Sequence, residues 1–231
     1  MPAIHYDALA GIFAYPGPGF EALIDQVVAD LAGPYPRAAR RLEAFRGHLP
    51  LHDLVALQEL HTRTFDVQAI TSLDVGYTLF GEDYKRGALL ANLSAEHARA
   101  GHDCGLELGD HLTNVLRLVP RMSDAAVRED FVRLLLAPAL QAMIREFEPE
   151  RLAKKEALYR RHHKTIIESA EGDRRTAYRH ALEAVVEVLH EHFELSETQS
   201  GDEGSKFVGS VDTEMAIESC ATCIGHTRGV Q

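Results

Sequence analysis

The sequence predicts an all-α fold, a single-domain bundle of about eight to ten helices over residues 1–195. Three observations support this prediction. Apolar residues recur at helical spacing along most of these residues. No segment shows the alternation of β-branched residues that is typical of strands. Alanine and leucine, which both favour helices, dominate the apolar residues.

The first half of the chain contains three strong helical patterns. An apolar stripe predicts a helix over Phe20–Leu31, preceded by the breakers Gly17, Pro18 and Gly19. A second helix is expected over Leu51–Phe65, and a third over Tyr84–Ala100, closed by Gly101. The residues expected to face inward in the second and third helices are Leu54, Leu57, Leu60, Phe65, Leu89, Leu90 and Leu93.

The second half continues the helical pattern, with recognisable start and stop signals. Asp110 is expected to cap a short helix that Pro120 ends, and Ser123 to cap the helix that follows. Because Pro138 lacks a backbone donor, we expect a kink or break near Ala137. A last helix is expected after Asp173, with the inward stripe Tyr178, Leu182, Val185, Leu189 and Phe193.

The composition changes after Leu195. Residues 196–231 are rich in Gly, Ser, Thr and acidic residues, and Phe207 is their one aromatic residue. A segment with so little apolar area is predicted to be a flexible tail. Within it, Cys220-Ala-Thr-Cys223 and His226 resemble half of a zinc site, but a closed site needs four ligands. The motif is therefore interpreted either as part of a zinc site or as ordinary residues of a flexible tail.

The charge balance and cysteine count narrow the class of protein. A formal net charge of -11 argues against a nucleic-acid partner and is compatible with a basic peptide partner. Three cysteines in 231 residues do not make a disulfide framework, which favours a reducing compartment. The first residues do not resemble a signal peptide, and no apolar run approaches the length of a membrane span. We therefore expect a cytoplasmic protein without stable membrane insertion.

Few residue patterns indicate catalysis. His102-Asp103 is the dipeptide used by helical metal-dependent hydrolases, but such sites need further His and Asp ligands from neighbouring helices. Glu187 and His190 share a helix face, whereas a di-iron bundle needs a second such pair. The known phosphate-loop, serine-hydrolase and zinc-protease motifs do not occur. We expect no enzyme and no catalytic, metal or cofactor site, and keep a hydrolase using His102-Asp103 as the alternative.

Four blocks in order resemble one known family. They are Leu57-Gln-Glu-Leu-His-Thr-Arg-Thr-Phe-Asp66, Thr71-Ser-Leu73, Tyr77-Thr-Leu-Phe-Gly81-Glu-Asp-Tyr-Lys-Arg-Gly87 and Glu107-Leu-Gly-Asp110-His111-Leu112. Together they resemble the signature of the nitrate reductase delta-subunit (NarJ-type) chaperones, within the wider TorD-like family. His61 stands where that family often has tyrosine, Gly109 where it often has proline, and Arg117 where it often has an acidic residue.

The resemblance implies a binding function. Such chaperones recognise the N-terminal peptide of the apo catalytic subunit of a molybdenum reductase, most often nitrate reductase, and assist insertion of the molybdenum cofactor. Apolar peptide residues would enter a groove between helices, and carboxylates would meet its basic residues. Asp66, Gly81 and Asp110 equally suit helix caps and turns. The residues expected to form the peptide site are Phe65, Asp66, Tyr77, Phe80, Glu82, Asp83, Arg86, Asp110 and His111.

Overall fold

The fold is all-α, as predicted, in the computed structural model, which describes residues 3–163 and 174–195. These residues contain α1 Ala3–Ile12, α2 Phe20–Ala32, α3 Pro36–Gly47, α4 Leu54–Phe65, α5 Val75–Phe80, α6 Tyr84–Arg99, α7 Leu112–Leu118, α8 Ala125–Phe131, α9 Ala137–Arg145, α10 Pro149–His163 and α11 Ala177–Phe193. Because α8 and α9 form one continuous helix, the described residues contain ten helices. Their one β-type pairing is an isolated antiparallel bridge between Asp74 and His111.

Two helices carry much of the core. One face of α11, from Ala177 to Leu189, is buried against α3 and α9. The short helix α7 is buried on nearly every side and packs against α1. Since burying each large apolar side chain stabilises the fold by roughly 1.5–3 kcal/mol, these two helices anchor the bundle. The large side chains that they bury include Tyr178, Leu112 and Leu116.

Two predicted helix starts are wrong, one by three residues and the other by one residue. The helix α4 begins at Leu54 rather than Leu51, because Asp53 accepts a hydrogen bond from the backbone N–H of Ala56 at 3.0 Å. Leu54, predicted to face inward, is 36% exposed in the first turn. Likewise Asp124, not Ser123, caps α8 through the backbone N–H groups of Ala126 and Val127.

The short helix α7 also has a different cap from the one predicted. His111 precedes Leu112, and its Nδ1 accepts from the backbone N–H of Thr113 at 3.4 Å. Asp110 lies one residue earlier and is fully buried. An imidazole therefore takes the capping position, which leaves the Asp110 carboxylate for another role.

Pro138 does not break its helix. A wide π-helical turn, Val132–Leu136, joins α8 to α9, and the N–H of Ala137 bonds to the carbonyl of Val132. This turn redistributes the backbone bonds just before the residue that has no N–H to donate. The chain thus stays helical from Ala125 to Arg145, with the irregularity predicted near Ala137 but without the break.

Gly101 ends α6 as predicted. Its φ is 62°, and the N–H of His102 returns to the carbonyl of His97 at 3.0 Å. This left-handed glycine cap is a common helix ending, and it sets the course of the following loop.

Some predictions concern other parts of the chain. The predicted cap Asp173, the tail 196–231 and its Cys220, Cys223 and His226 lie outside the described residues. Across residues 3–163 and 174–195, no helix has both the length and the apolar character needed to cross a bilayer.

Candidate functional site

A cleft of about 400 Å³ opens where the ends of several helices meet. Its buried lining includes Phe13 just after α1, His61 and Phe65 at the end of α4, Leu73 before α5, and Thr113 and Asn114 of α7. We call it the α4–α7 cleft. A volume of this size falls within the range of ligand-binding pockets, roughly 300–1,000 Å³.

The rim of the α4–α7 cleft is polar and carries mostly acidic groups. Asp66 and Glu107 are exposed, Arg117 is half-buried, and the exposed Tyr15 stands edge-on to His61 with ring centroids 5.5 Å apart. The cleft therefore combines an apolar floor with two solvent-facing carboxylates. Such a surface suits a ligand that has an apolar group and a positive charge.

A buried asparagine holds the loop that forms one wall of this cleft. The Nδ2 group of Asn114 donates to the carbonyls of Cys104 at 3.1 Å and Leu108 at 3.0 Å. Because Asn114 lies in α7 and is 1% exposed, it ties this loop to the core. The rim residue Glu107 lies on the loop segment held in this way.

An ion-pair network adjoins the cleft at Asp74. Arg86 of α6 donates from Nε to Asp110 at 3.0 Å and from Nη2 to Asp74 at 2.8 Å. Burial and the neighbouring Asp110 raise the pKa of Asp74, and Arg86 opposes that shift. Since Asp110 has no exposed surface, Arg86 and Asp110 support the cleft from behind, and Asp74 connects this network to its lining.

The two backbone segments that carry these carboxylates are also bonded to each other. The N–H of Val75 donates to the carbonyl of Asp110 at 2.9 Å, and that of Leu112 to the carbonyl of Leu73 at 2.8 Å. The first residues of α5 and α7 are thereby held side by side.

Two histidines of the cleft are held in the neutral form. Burial lowers the pKa of His111 from 6.5, and Glu107, Asp74, Asp110 and Asp66 only partly oppose that shift. Burial likewise lowers the pKa of His61, whose Nε2 lies 3.2 Å from the carbonyl oxygen of Phe13. At neutral pH the cleft therefore carries its negative charges without a compensating imidazolium.

The remaining predicted residues lie on a separate surface, around the turn formed by residues 81–83, which we call the α5–α6 turn. Tyr77 is 44% exposed and stacks with Arg86, whose guanidinium carbon is 5.5 Å from the ring centroid. Phe80 is half-buried, and Glu82 is exposed. Asp83 caps α6 by accepting from the N–H of Lys85 at 3.0 Å. None of these four residues is among those that line the α4–α7 cleft.

The structure thus divides the nine predicted site residues into three groups. Phe65, Asp66 and His111 line the cleft, and Phe65 also packs in the core, with its ring centroid 4.8 Å from that of Tyr178. Arg86 and Asp110 form the supporting ion pair, and the other four surround the turn. Sequence reasoning missed Tyr15, Asp74 and Glu107 as cleft residues. Asp74 and Glu107 directly follow or begin blocks that carry the family resemblance, a signal that could have identified them.

Two of the three metal-type motifs of the sequence lie within residues 3–163 and 174–195, and there neither Asp103 nor Glu187 belongs to a cluster of three metal-type ligands. Asp103 accepts from the N–H of Gly105 at 2.9 Å, as a turn residue does, so the arrangement gives no support to a His102-Asp103 hydrolase. Glu187, which is half-buried, forms an ion pair with Arg37 at 3.0 Å.

Comparisons of this chain with models of protein families, with curated proteins and with solved structures find no match.

Proposed function

We propose that this protein is an assembly chaperone that binds the N-terminal peptide of an apo catalytic subunit of a molybdenum oxidoreductase. The observation that supports this proposal most is the convergence of two distant sequence blocks on one cleft. Phe65 and Asp66 end the first block and His111 belongs to the last, yet all three line the α4–α7 cleft. These blocks are also the ones that resemble the nitrate reductase chaperones, so nitrate reductase is the proposed client.

The chemistry of the cleft suggests how such a peptide would bind. An apolar peptide side chain would contact Tyr15, which is 60% exposed, above a floor of the buried side chains Phe13, Phe65 and Leu73. Tyr15 would therefore supply most of the apolar contact. A neighbouring lysine or arginine of the peptide would meet Asp66 and Glu107 at the rim. Rim charges add orientation and rate of encounter more than strength. In this proposal the protein is no enzyme, acts in the cytoplasm and leaves the molybdenum cofactor to its client.

The peptide proposal predicts different effects for two matched pairs of charge changes. Asp66→Asn with Glu107→Gln removes two carboxylates from the rim of the cleft, whereas Glu82→Gln with Asp83→Asn removes two from the α5–α6 turn. We expect the first pair to weaken binding roughly three- to tenfold and to flatten its salt dependence. The second pair should leave the affinity and its salt dependence unchanged. Calorimetric titration with the N-terminal peptide of a molybdenum catalytic subunit measures both.

A third variant tests the apolar part of the cleft. Tyr15 is 60% exposed at the rim, so Tyr15→Ala removes contact area without opening the core. We expect it to weaken the peptide roughly tenfold or more, because aromatic anchors carry much of the energy of such contacts. Melting temperatures of all variants verify that they stay folded. Loss of binding in the turn pair alone would move the site to that turn, and no binding to the unmodified protein would refute the function.

A further inference from the structure

Three side chains with metal-binding atoms lie together at the end of α6. They are His97 from its last turns and His102 and Cys104 from the following loop, and one ligand atom of each lies within 4.8 Å of the other two. In a tetrahedral zinc site, bonds of about 2.0–2.3 Å hold neighbouring ligand atoms roughly 3.3–3.6 Å apart. Small side-chain rotations would therefore bring these three atoms to bonding distance.

The glycine cap of α6 creates this proximity. In this ending the N–H of the second residue beyond the helix bonds back to a carbonyl of the last turn. Here that bond joins His102 to His97, and the two ring centroids lie 5.2 Å apart. The backbone turn at Gly101 thus holds two imidazoles together whatever else binds nearby.

The hydrogen bonds of His97 define which of its nitrogens is available. Its Nε2 lies 3.0 Å from the carbonyl oxygen of Gly109. A carbonyl only accepts, so Nε2 carries the proton, and Nδ1 of the neutral ring has the lone pair. His97 is 3% exposed, and no described residue forms a hydrogen bond with its buried Nδ1. A bare buried acceptor is unfavourable, and a metal ion would satisfy it.

Asn114 orients His102 in a similar way. Because Nδ2 of Asn114 donates to backbone carbonyls, its Oδ1 is the acceptor that faces Nε2 of His102 at 3.4 Å. Metal-binding histidines commonly donate their second N–H to such an acceptor, which fixes the ring. Asn114 also bonds the carbonyl of Cys104, so one buried side chain positions two of the three ligands.

We propose that His97, His102 and Cys104 bind one zinc-class divalent ion, with water as the fourth ligand. Two imidazoles and a thiolate are ligands that zinc accepts in proteins, and three protein ligands leave one position for an exchangeable group. Binding replaces the S–H proton of Cys104, which passes to solvent. Cys104 also lines the α4–α7 cleft, so the ion can enter from there. This site does not depend on the proposed peptide function.

The test must separate this cluster from the other cysteines of the chain. The untagged full-length protein with Cys220→Ser and Cys223→Ser serves as the background, and it is titrated with Co²⁺ and then Zn²⁺. We expect one Co²⁺ per chain, with the absorption bands of tetrahedral cobalt and a sulfur-to-cobalt charge-transfer band. Zn²⁺ should displace the cobalt, abolish these bands and raise the melting temperature.

Single substitutions in that background assign the ligands. Cys104→Ser should abolish the charge-transfer band, and His102→Ala should weaken binding by about tenfold or more. His52→Ala is the matched control, since His52 is exposed and not among the clustered ligands, and it should bind as the background does. Circular dichroism verifies folding, and His102→Gln replaces His102→Ala if that variant unfolds. A background that binds no Co²⁺, or a charge-transfer band that survives Cys104→Ser, would overturn the proposal.

Discussion

Gly76 shows how one missing side chain makes room for the ion-pair network. A methyl group at this position in α5 would lie 2.7 Å from Oδ2 of Asp110 and 3.2 Å from Cγ of Arg86. Both distances are shorter than ordinary contacts, and the carboxylate is fully buried with little space to move. The close approach of α5 to the Arg86–Asp110 pair therefore requires glycine, although this residue lies inside a helix.

Gly76→Ala should destabilise the protein by about 1–3 kcal/mol, because overpacking displaces the buried carboxylate. Gly87→Ala is the matched control in α6, where a methyl group would meet nothing within 4 Å. Gly87→Ala should raise the free energy of unfolding by about 0.5–1 kcal/mol, the usual gain of alanine over glycine in a helix. Urea unfolding at one pH measures both. A gain in stability for Gly76→Ala as well would show that the network tolerates the added methyl.

Single residues also show where sequence reasoning about the site reached its limit. That Phe65, Asp66 and His111 lie at one site could be predicted, because these residues belong to the blocks that resemble a known family. Tyr15 could not, since it lies far away in the sequence and reaches the cleft through the packing of α1 against α7. The sequence did contain a signal that His97 and His102 lie close together, because a glycine at position 101 predicts the turn that brings the two residues next to each other.

At the scale of helices, aspartate side chains determine where several helices begin. Asp53, Asp83 and Asp124 each accept a backbone N–H of the first turn of α4, α6 and α8. Serine and aspartate are similarly good caps, so the pair Ser123-Asp124 offers two possible starts from sequence alone. The backbone geometry selects the second, which moves the start of the helix by one residue.

Asp124→Ala should lower the free energy of unfolding by about 1 kcal/mol, because two first-turn N–H groups lose their acceptor. Ser123→Ala changes the exposed neighbour and should stay within about 0.5 kcal/mol of the unmodified protein. Thermal or urea unfolding of the two variants compares them directly. Equal losses would mean that Ser123 shares the capping role.

The helices with strong apolar stripes were predictable, and four others were not predicted. α5 has only six residues, and α1 carries apolar residues on most of its sides, which leaves it without a distinct stripe. α3 has two alanines, Ala38 and Ala39, in its buried stripe, which weakens the pattern. α10 shows no fully buried side chain from Pro149 to Arg160, so it has almost no stripe to detect. A proline at the first position marks both α3 and α10, and that signal indicates their starts.

For the molecule as a whole, the end of α11 marks the shortest chain that should stay stable. Phe193 and Leu195 pack against the core, whereas residues 196–231 contain little apolar area by composition. A protein ending at Leu195 should therefore melt within about 2 °C of the full chain. A protein ending at Val188 also loses the fully buried Leu189 and should melt roughly 6 °C lower or more. A large drop for the first truncation would show that the tail packs on the helices.

The bridge between Asp74 and His111 also affects how the chain fluctuates. It joins the two ends of the segment 75–110, and within that segment α6 packs mainly on α5 and buries only Leu93 and His97. We expect α6 to open and close as a unit while α7 and α11 stay folded, because few buried contacts oppose its opening. Amide hydrogen exchange should thus be faster in α6 than in α11, and an ion held by His97 and His102 should slow it. Equal protection of both helices would show that the bundle opens only as a whole.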